Sequence, residues 1–164
     1  MYVGNGLEAA KLVNVMADSA KPLPLVSHWG VTGTDFATMA ADALSRVDLR
    51  VLQTFSFLTN GNPAAAELVE RYKARYSIAG PREIVAPVGT AHAYDLIHLL
   101  AAAIRTAGDT KSEAVRGALE RLGTHVGLVK TYDPPFTPER HDALDASSFF
   151  LARYEGSTLV PIRE

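Results

Sequence analysis

The sequence predicts an α/β fold, a parallel sheet with flanking helices. Three observations carry that prediction. Strand and helix signals alternate through the first half in the order β-α-β-α-β, which joins parallel neighbours through packed helices. The 164 residues are 48% hydrophobic and 21% charged, an ordinary globular balance in a chain long enough to bury a core. The chain also opens on Met1-Tyr2-Val3-Gly4-Asn5-Gly6, which reads as the end of a buried strand running into a glycine turn. A domain seldom opens on a strand end with nothing before it to pair with. The expectation is the back half of something larger.

Each element has its own signal. From Leu7 a helix carries Ala9, Leu12, Val13 and Met16 on one stripe. Pro22 to Ser27 is a short buried strand entered through prolines. Thr34 caps a second helix, with Phe36, Met39, Ala40, Ala43, Leu44 and Val47 on one face. Leu49 to Phe57 is the next strand. Asn62 and Pro63 suit the cap and first position of a helix through Ala65, Leu68, Val69, Tyr72 and Tyr76, which Gly80-Pro81 ends. Thr90 opens the longest helix, with Ala93, Leu96, Ile97, Leu100, Ala101 and Ile104 inward and Gly108 closing it. Thr110 to Glu113 is a capping box for a helix reaching about Leu122. Val126–Tyr132, Ser147–Tyr154 and Thr158–Ile162 are strands, parted by turns at Asp133-Pro134-Pro135 and Glu155-Gly156.

Composition removes several function classes. A formal net charge of −2 without a basic run disfavours nucleic acid. No apolar run reaches the ~18 residues of a membrane span. The absence of cysteine excludes disulfides, thiolate metal sites and cysteine nucleophiles. His92 and His98 are six apart, not the four that would place two ligands on one helical face. There is neither a G-x-S-x-G elbow nor an S-x-x-K motif. The chain reads as no enzyme, with no metal and no cofactor.

Three segments remain as candidates. Gly4-Asn5-Gly6-Leu7-Glu8-Ala9 matches the G-x-G-x-x-G/A dinucleotide pattern. The acidic residue that should hold the ribose is replaced by Ser27-His28-Trp29, so a plain strand-to-helix turn is the simpler reading. His28-Trp29-Gly30 follows a strand at the carboxyl end of the sheet, where α/β proteins bind ligands. Trp29 there is either a ligand platform or a packing aromatic. Ala91, His92 and Tyr94 sit near the expected start of the long helix, facing a ligand or simply packed.

The order of these segments resembles the C-terminal half of type I periplasmic solute-binding proteins, including the branched-chain amino-acid receptors of ABC transporters. The markers are Tyr2-Val3-Gly4-Asn5-Gly6 with Glu8-Ala9-Ala10, Pro24-Leu25-Val26 leading to Trp29-Gly30, and Ala93-Tyr94-Asp95. Ala114-Val115-Arg116 with Ala118-Leu119 and Phe149 to Tyr154 complete the set. The resemblance implies two lobes closing on a ligand. Residues 1–57 and 147–164 would belong to the C-terminal lobe and 60–144 to the N-terminal lobe. It implies Asn5, Gly6, Leu7 and Trp29 on one side of the ligand and Ala91 and His92 on the other; His28 joins them through its place beside Trp29 after the strand. Trp29 stands where amino-acid receptors place the carboxylate that pairs with the ligand's ammonium. An aromatic, amide, organic acid or quaternary amine suits Trp29 better than a simple amino acid. The implied partner is a membrane permease, the implied compartment periplasmic or extracellular for an exported parent. A half-molecule leaves apolar surface uncovered, so a homodimer is expected. Two other readings stand beside this one: an amide or amino-acid sensor of the same fold in a regulatory protein, and a nucleotide-binding enzyme fragment using Gly4, Gly6 and Ala9.

Overall fold

The computed structural model describes residues 1–33 and 35–162. They form two compact units: Met1–Val88 with Phe149–Glu164, and Gly89–Ser148.

The first unit is a four-stranded sheet with helices. Its elements are α1 (Gly6–Ala17), β1 (Leu25–His28), α2 (Phe36–Met39), α3 (Ala41–Leu44), β2 (Leu49–Gln53) and α4 (Pro63–Tyr76). The tail adds β5 (Phe150–Glu155) and β6 (Thr158–Pro161). The strand order is β1-β2-β5-β6. β1 and β2 are parallel, in register from Leu25 opposite Leu49 to His28 opposite Leu52. β5 and β6 pair antiparallel, so the sheet is mixed. Helices between β1 and β2 require a parallel crossover, whereas the two-residue turn at Gly156 (φ +60°) permits only a hairpin. The α/β class with flanking helices stands, with the parallel pair β1–β2 extended by the antiparallel tail strands.

Alternation fixes which strand face is inward. Leu25 and Ser27 of β1, and Leu49, Val51 and Gln53 of β2, are buried, while Val26 and Arg50 point outward. Ala9, Ala10, Val13 and Ala17 of α1 pack in the same core as Phe36, Ala40, Ala43 and Val47. Small residues on α1 allow the helix to lie close.

Four expectations in this unit shift. Met1–Asn5 form no strand, and Met1 and Val3 are exposed. The segment is tied to β1 at one place only, where Tyr2 N–H donates to the Val26 carbonyl (2.9 Å) and Ser27 Oγ–H to the Tyr2 carbonyl (2.8 Å). The second helix breaks at Ala40 into α2 and α3, although Phe36, Ala40, Ala43 and Val47 of the expected face are buried. Its expected cap, Thr34, lies outside the described residues. β2 ends at Gln53, and Phe55 and Phe57 are buried beyond it, ring edge to face at 4.7 Å. α4 ends at Ser77 in the left-handed region (φ 56°), before Gly80.

The start of α4 is as expected. Pro63 is its first residue, and Asn62 Oδ1 accepts from Ala64 N–H at 2.9 Å. Asn62→Ala removes that acceptor and is expected to cost about 1 kcal/mol. Urea unfolding checks it, with Asn62→Asp as the variant that retains stability.

Gly89–Ser148 contains most of α5 (Pro87–Ala107), then α6 (Ser112–Leu119), β3 (His125–Val126) and β4 (Thr131–Tyr132). The expected strand Val126–Tyr132 is instead a small antiparallel hairpin, β3 against β4. α5 starts at Pro87, three residues before Thr90, and Gly108 (φ +64°) closes it as expected. α6 lacks the expected capping box: Lys111 occupies the N-cap position without a side-chain cap, and its N–H donates to Asp109 Oδ1 at 3.1 Å.

The largest correction concerns the face of α5. Val88, Ala91, Asp95, Leu99 and Ala103 are buried. Leu96, Ile97 and Leu100, expected inward, are 55%, 65% and 46% exposed. Ala93 is exposed with them. The helix has rotated by about half a turn from the expected orientation, and Asp95 explains why. Its carboxylate is 1% exposed and accepts from Leu128 N–H (2.6 Å), Val129 N–H (3.0 Å) and Tyr132 O–H (2.8 Å). A carboxylate satisfied by three donors is stable in a core, and these donors hold the β3–β4 turn against α5. Burial, reinforced by the Asp95 bond and charge, drives the Tyr132 hydroxyl strongly upward in pKa, so it stays a donor.

Candidate functional site

The candidate residues of the first unit gather at the carboxyl end of β1. Asn5 is the N-cap of α1 in extended conformation (φ −95°, ψ 169°), and its side chain makes no capping bond. The first N–H groups of α1 therefore lack that acceptor. Gly6 is buried at the first position, and Leu7 is 46% exposed.

His28 ends β1 and turns the chain. Its Nδ1 accepts from Gly30 N–H at 3.0 Å, so the neutral ring carries its proton on Nε2. Nε2 is buried without a partner among the described residues. A Cβ on Gly30 would collide with the His28 ring and approach the Gly4 carbonyl to 3.1 Å. Glycine at position 30 is what lets the α1 entry and the β1 exit come this close.

Trp29 follows. Its indole stacks on Phe149 (centroids 6.2 Å, planes 24° apart) and meets His28 edge-on at 5.9 Å. Its carbonyl accepts from Thr32 Oγ–H at 2.7 Å, which tightens the single 3₁₀ turn Trp29–Thr32. Trp29 is half-buried. The cluster offers a flat aromatic surface and helix-start donors. No group of three metal-ligating side chains occurs among the described residues. The dinucleotide pattern Gly4–Ala9 runs into the first turn of α1, which starts at Gly6.

In the other unit, Ala91 and His92 lie in the second turn of α5 rather than at its first. Ala91 is fully buried. His92 is half-buried, and burial lowers its imidazole pKa, with the Asp95 charge opposing. A depressed folded-state pKa gives stability that is present above the unfolded value, about 6.5, and is lost as pH falls through the folded value. NMR titration of the His92 ring is expected to give a midpoint below that of an unfolded peptide. Tyr94 stacks on His98 at 4.3 Å.

Sequence reasoning missed Phe149 as the partner of Trp29 and Asp95 as an anchor. The pair Phe149-Phe150 carried a usable signal: in a strand one of two adjacent aromatics must face away from its neighbour.

No family model and no curated protein matches this sequence. Solved structures do. A type 1 periplasmic binding protein from Bordetella pertussis superimposes with a TM-score of 0.79 at 23% identity, over 98% of this chain and 44% of that one. LivJ, the branched-chain amino-acid transporter substrate-binding protein of Streptococcus pneumoniae, solved with isoleucine, gives 0.70 at 19%, over 98% and 43%. A fatty-acid ABC transporter substrate-binding protein from Thermomonospora curvata gives 0.71 at 14%, over 98% and 41%.

The fold is part of the type I periplasmic binding-protein fold. The chain spans less than half the length of each of these neighbours. Among its structural neighbours are a leucine-binding protein, a branched-chain amino-acid transporter substrate-binding protein and a fatty-acid ABC transporter substrate-binding protein. With Trp29 and Phe149 stacked at its β1 end, this unit carries an aromatic surface there.

Proposed function

We propose that the chain is part of a non-enzymatic solute receptor of an ABC uptake system, working in the periplasm or outside the cell with a membrane permease. Asn5, Gly6, Leu7, His28 and Trp29 contact the solute, whereas Ala91 is fully buried and is not proposed as a contact. On this reading residues 1–57 and 147–164 belong to a C-terminal lobe and 60–144 to an N-terminal lobe. Pro63–Tyr76 sits in the first compact unit.

The observation that carries the reading is the Trp29 cluster at the carboxyl end of β1, in a fold whose solved neighbours bind solutes. An indole stacked on Phe149 supplies apolar area and one N–H donor but no negative charge. It cannot pair with an ammonium as a carboxylate does. The solute class that fits is a small aromatic, amide or organic acid. Native mass spectrometry of the purified chain tests this. A small non-covalent adduct is expected on the wild type and is lost in Trp29→Ala at unchanged fold. An adduct retained by Trp29→Ala, or none with any candidate solute, overturns the assignment.

The same reading includes assembly. Ala93, Leu96, Ile97 and Leu100 form an outward apolar row on α5. Positions 93, 97 and 100 follow steps of four and three, the spacing that packs one helix against another. A second copy of this chain presents the same row, and the protein is a homodimer through α5.

A further inference from the structure

Within Gly89–Ser148 there is a cavity, remote in sequence from the Trp29 cluster. It has a volume of about 530 Å³, is open to solvent, and is lined by Arg116, Leu119, Glu120, Phe136 and His141. That volume falls in the range of small-molecule sites, ~300–1,000 Å³.

Its polar groups are arranged in a way that selects a ligand. Arg116 of α6 and Glu120, the C-cap of that helix, lie one turn apart, and Arg116 Nε donates to Glu120 Oε1 at 2.8 Å. His141 Nε2 lies 3.0 Å from the same oxygen, and against a carboxylate it is the donor. Both donors therefore converge on Oε1. Neither Glu120 Oε2 nor the terminal nitrogens of Arg116 have a partner among the described residues. The Glu120 side chain is only 14% exposed, against 70% for Arg116 and 56% for His141. The cavity thus holds a largely buried anionic acceptor beside an exposed guanidinium donor, with Leu119 and Phe136 as apolar walls. Arg116 first, then His141, holds the Glu120 carboxyl below the usual carboxylate range.

We infer that this cavity binds a small neutral amide bearing an apolar group. An amide N–H reaches Glu120 Oε2 while its carbonyl accepts from Arg116, and the apolar group covers Phe136 and Leu119. A carboxylate satisfies Arg116 but is repelled by Glu120. An ammonium has the opposite conflict. This site is independent of the proposed solute contacts at Asn5–Leu7 and His28–Trp29.

The test is an NMR titration of the full chain with benzamide, benzoate and benzylamine. Benzamide is expected to saturate, with the largest shift changes at Phe136, His141 and α6. Benzoate and benzylamine bind about tenfold more weakly or not at all, and Glu120→Leu and Phe136→Ala each weaken benzamide by about tenfold. Phe136→Ala leaves the Glu120 ion pairs in place and guards against a folding defect in Glu120→Leu. Lack of saturation, equal binding of either charged analogue, or shifts centred on Trp29 and indifferent to Phe136→Ala would overturn the proposal.

Discussion

Asp95→Ala is expected to destabilise the Gly89–Ser148 unit by about 3–6 kcal/mol, the largest single-residue effect in the chain. The substitution removes one acceptor and strands three donors: the N–H groups of Leu128 and Val129 and the Tyr132 hydroxyl. Each buried donor left unmade costs roughly 1–3 kcal/mol, and partial hydration of the space left by the carboxylate recovers some of it. Domains are stable by only about 5–15 kcal/mol, so this is a large share. Two further variants separate hydrogen bonding from packing. Tyr132→Phe removes one bond and costs about 1–3 kcal/mol. Gly127→Ala adds a Cβ that would sit 2.5 Å from Asp95 Oδ2 and 2.7 Å from Tyr132 Cε2, so it disturbs the same knot from the other side. Urea unfolding followed by circular dichroism reads all three. If Asp95→Ala shifts stability by less than Tyr132→Phe, the carboxylate is not the anchor.

Asp95 also shows what the sequence could and could not reveal. The helix α5 is apolar on two opposite faces, Val88/Ala91/Leu99/Ala103 and Ala93/Leu96/Ile97/Leu100. Periodicity alone chooses the face without a charge, because an unpaired carboxylate does not belong in a core. The donors that make Asp95 an exception come from residues 33, 34 and 37 positions further on, which no local pattern displays. Local signals served well where the cause was local. Asn62 and Pro63 begin α4, Gly108 ends α5, and the buried positions of α1 follow its stripe. The direction of β5 and β6 was legible only in part. Gly156 marked a hairpin, but pairing to β2 joins residues about 100 positions apart, and such pairings are set by tertiary packing. At the candidate site, Trp29 was legible from its place after β1, whereas its stacking partner Phe149 arrives from the tail.

The second large effect is expected on α5's outward face. Ile97→Glu with Leu100→Lys should convert the proposed dimer to a monomer at micromolar concentration without loss of fold. Ile97 and Leu100 are 65% and 46% exposed, so each chain folds without needing either side chain inside. Surface changes of this kind usually alter stability by less than about 0.5 kcal/mol. Between two copies the same positions count far more. Each chain would bury an apolar row along a helix of 21 residues, about 31 Å long. A central apolar contact replaced by a charge typically costs about 2 kcal/mol or more, so two per chain, repeated by symmetry, weaken association by several orders of magnitude. Opposite signs at 97 and 100 keep net charge constant, so simple repulsion between chains does not explain the result. Asp95→Ala is the matching control in the other direction, since it removes support for α5 from beneath while leaving the row unchanged. Light scattering across a concentration series decides the matter. A wild-type chain that stays monomeric at high concentration, or a double variant that remains dimeric, removes α5 as the interface.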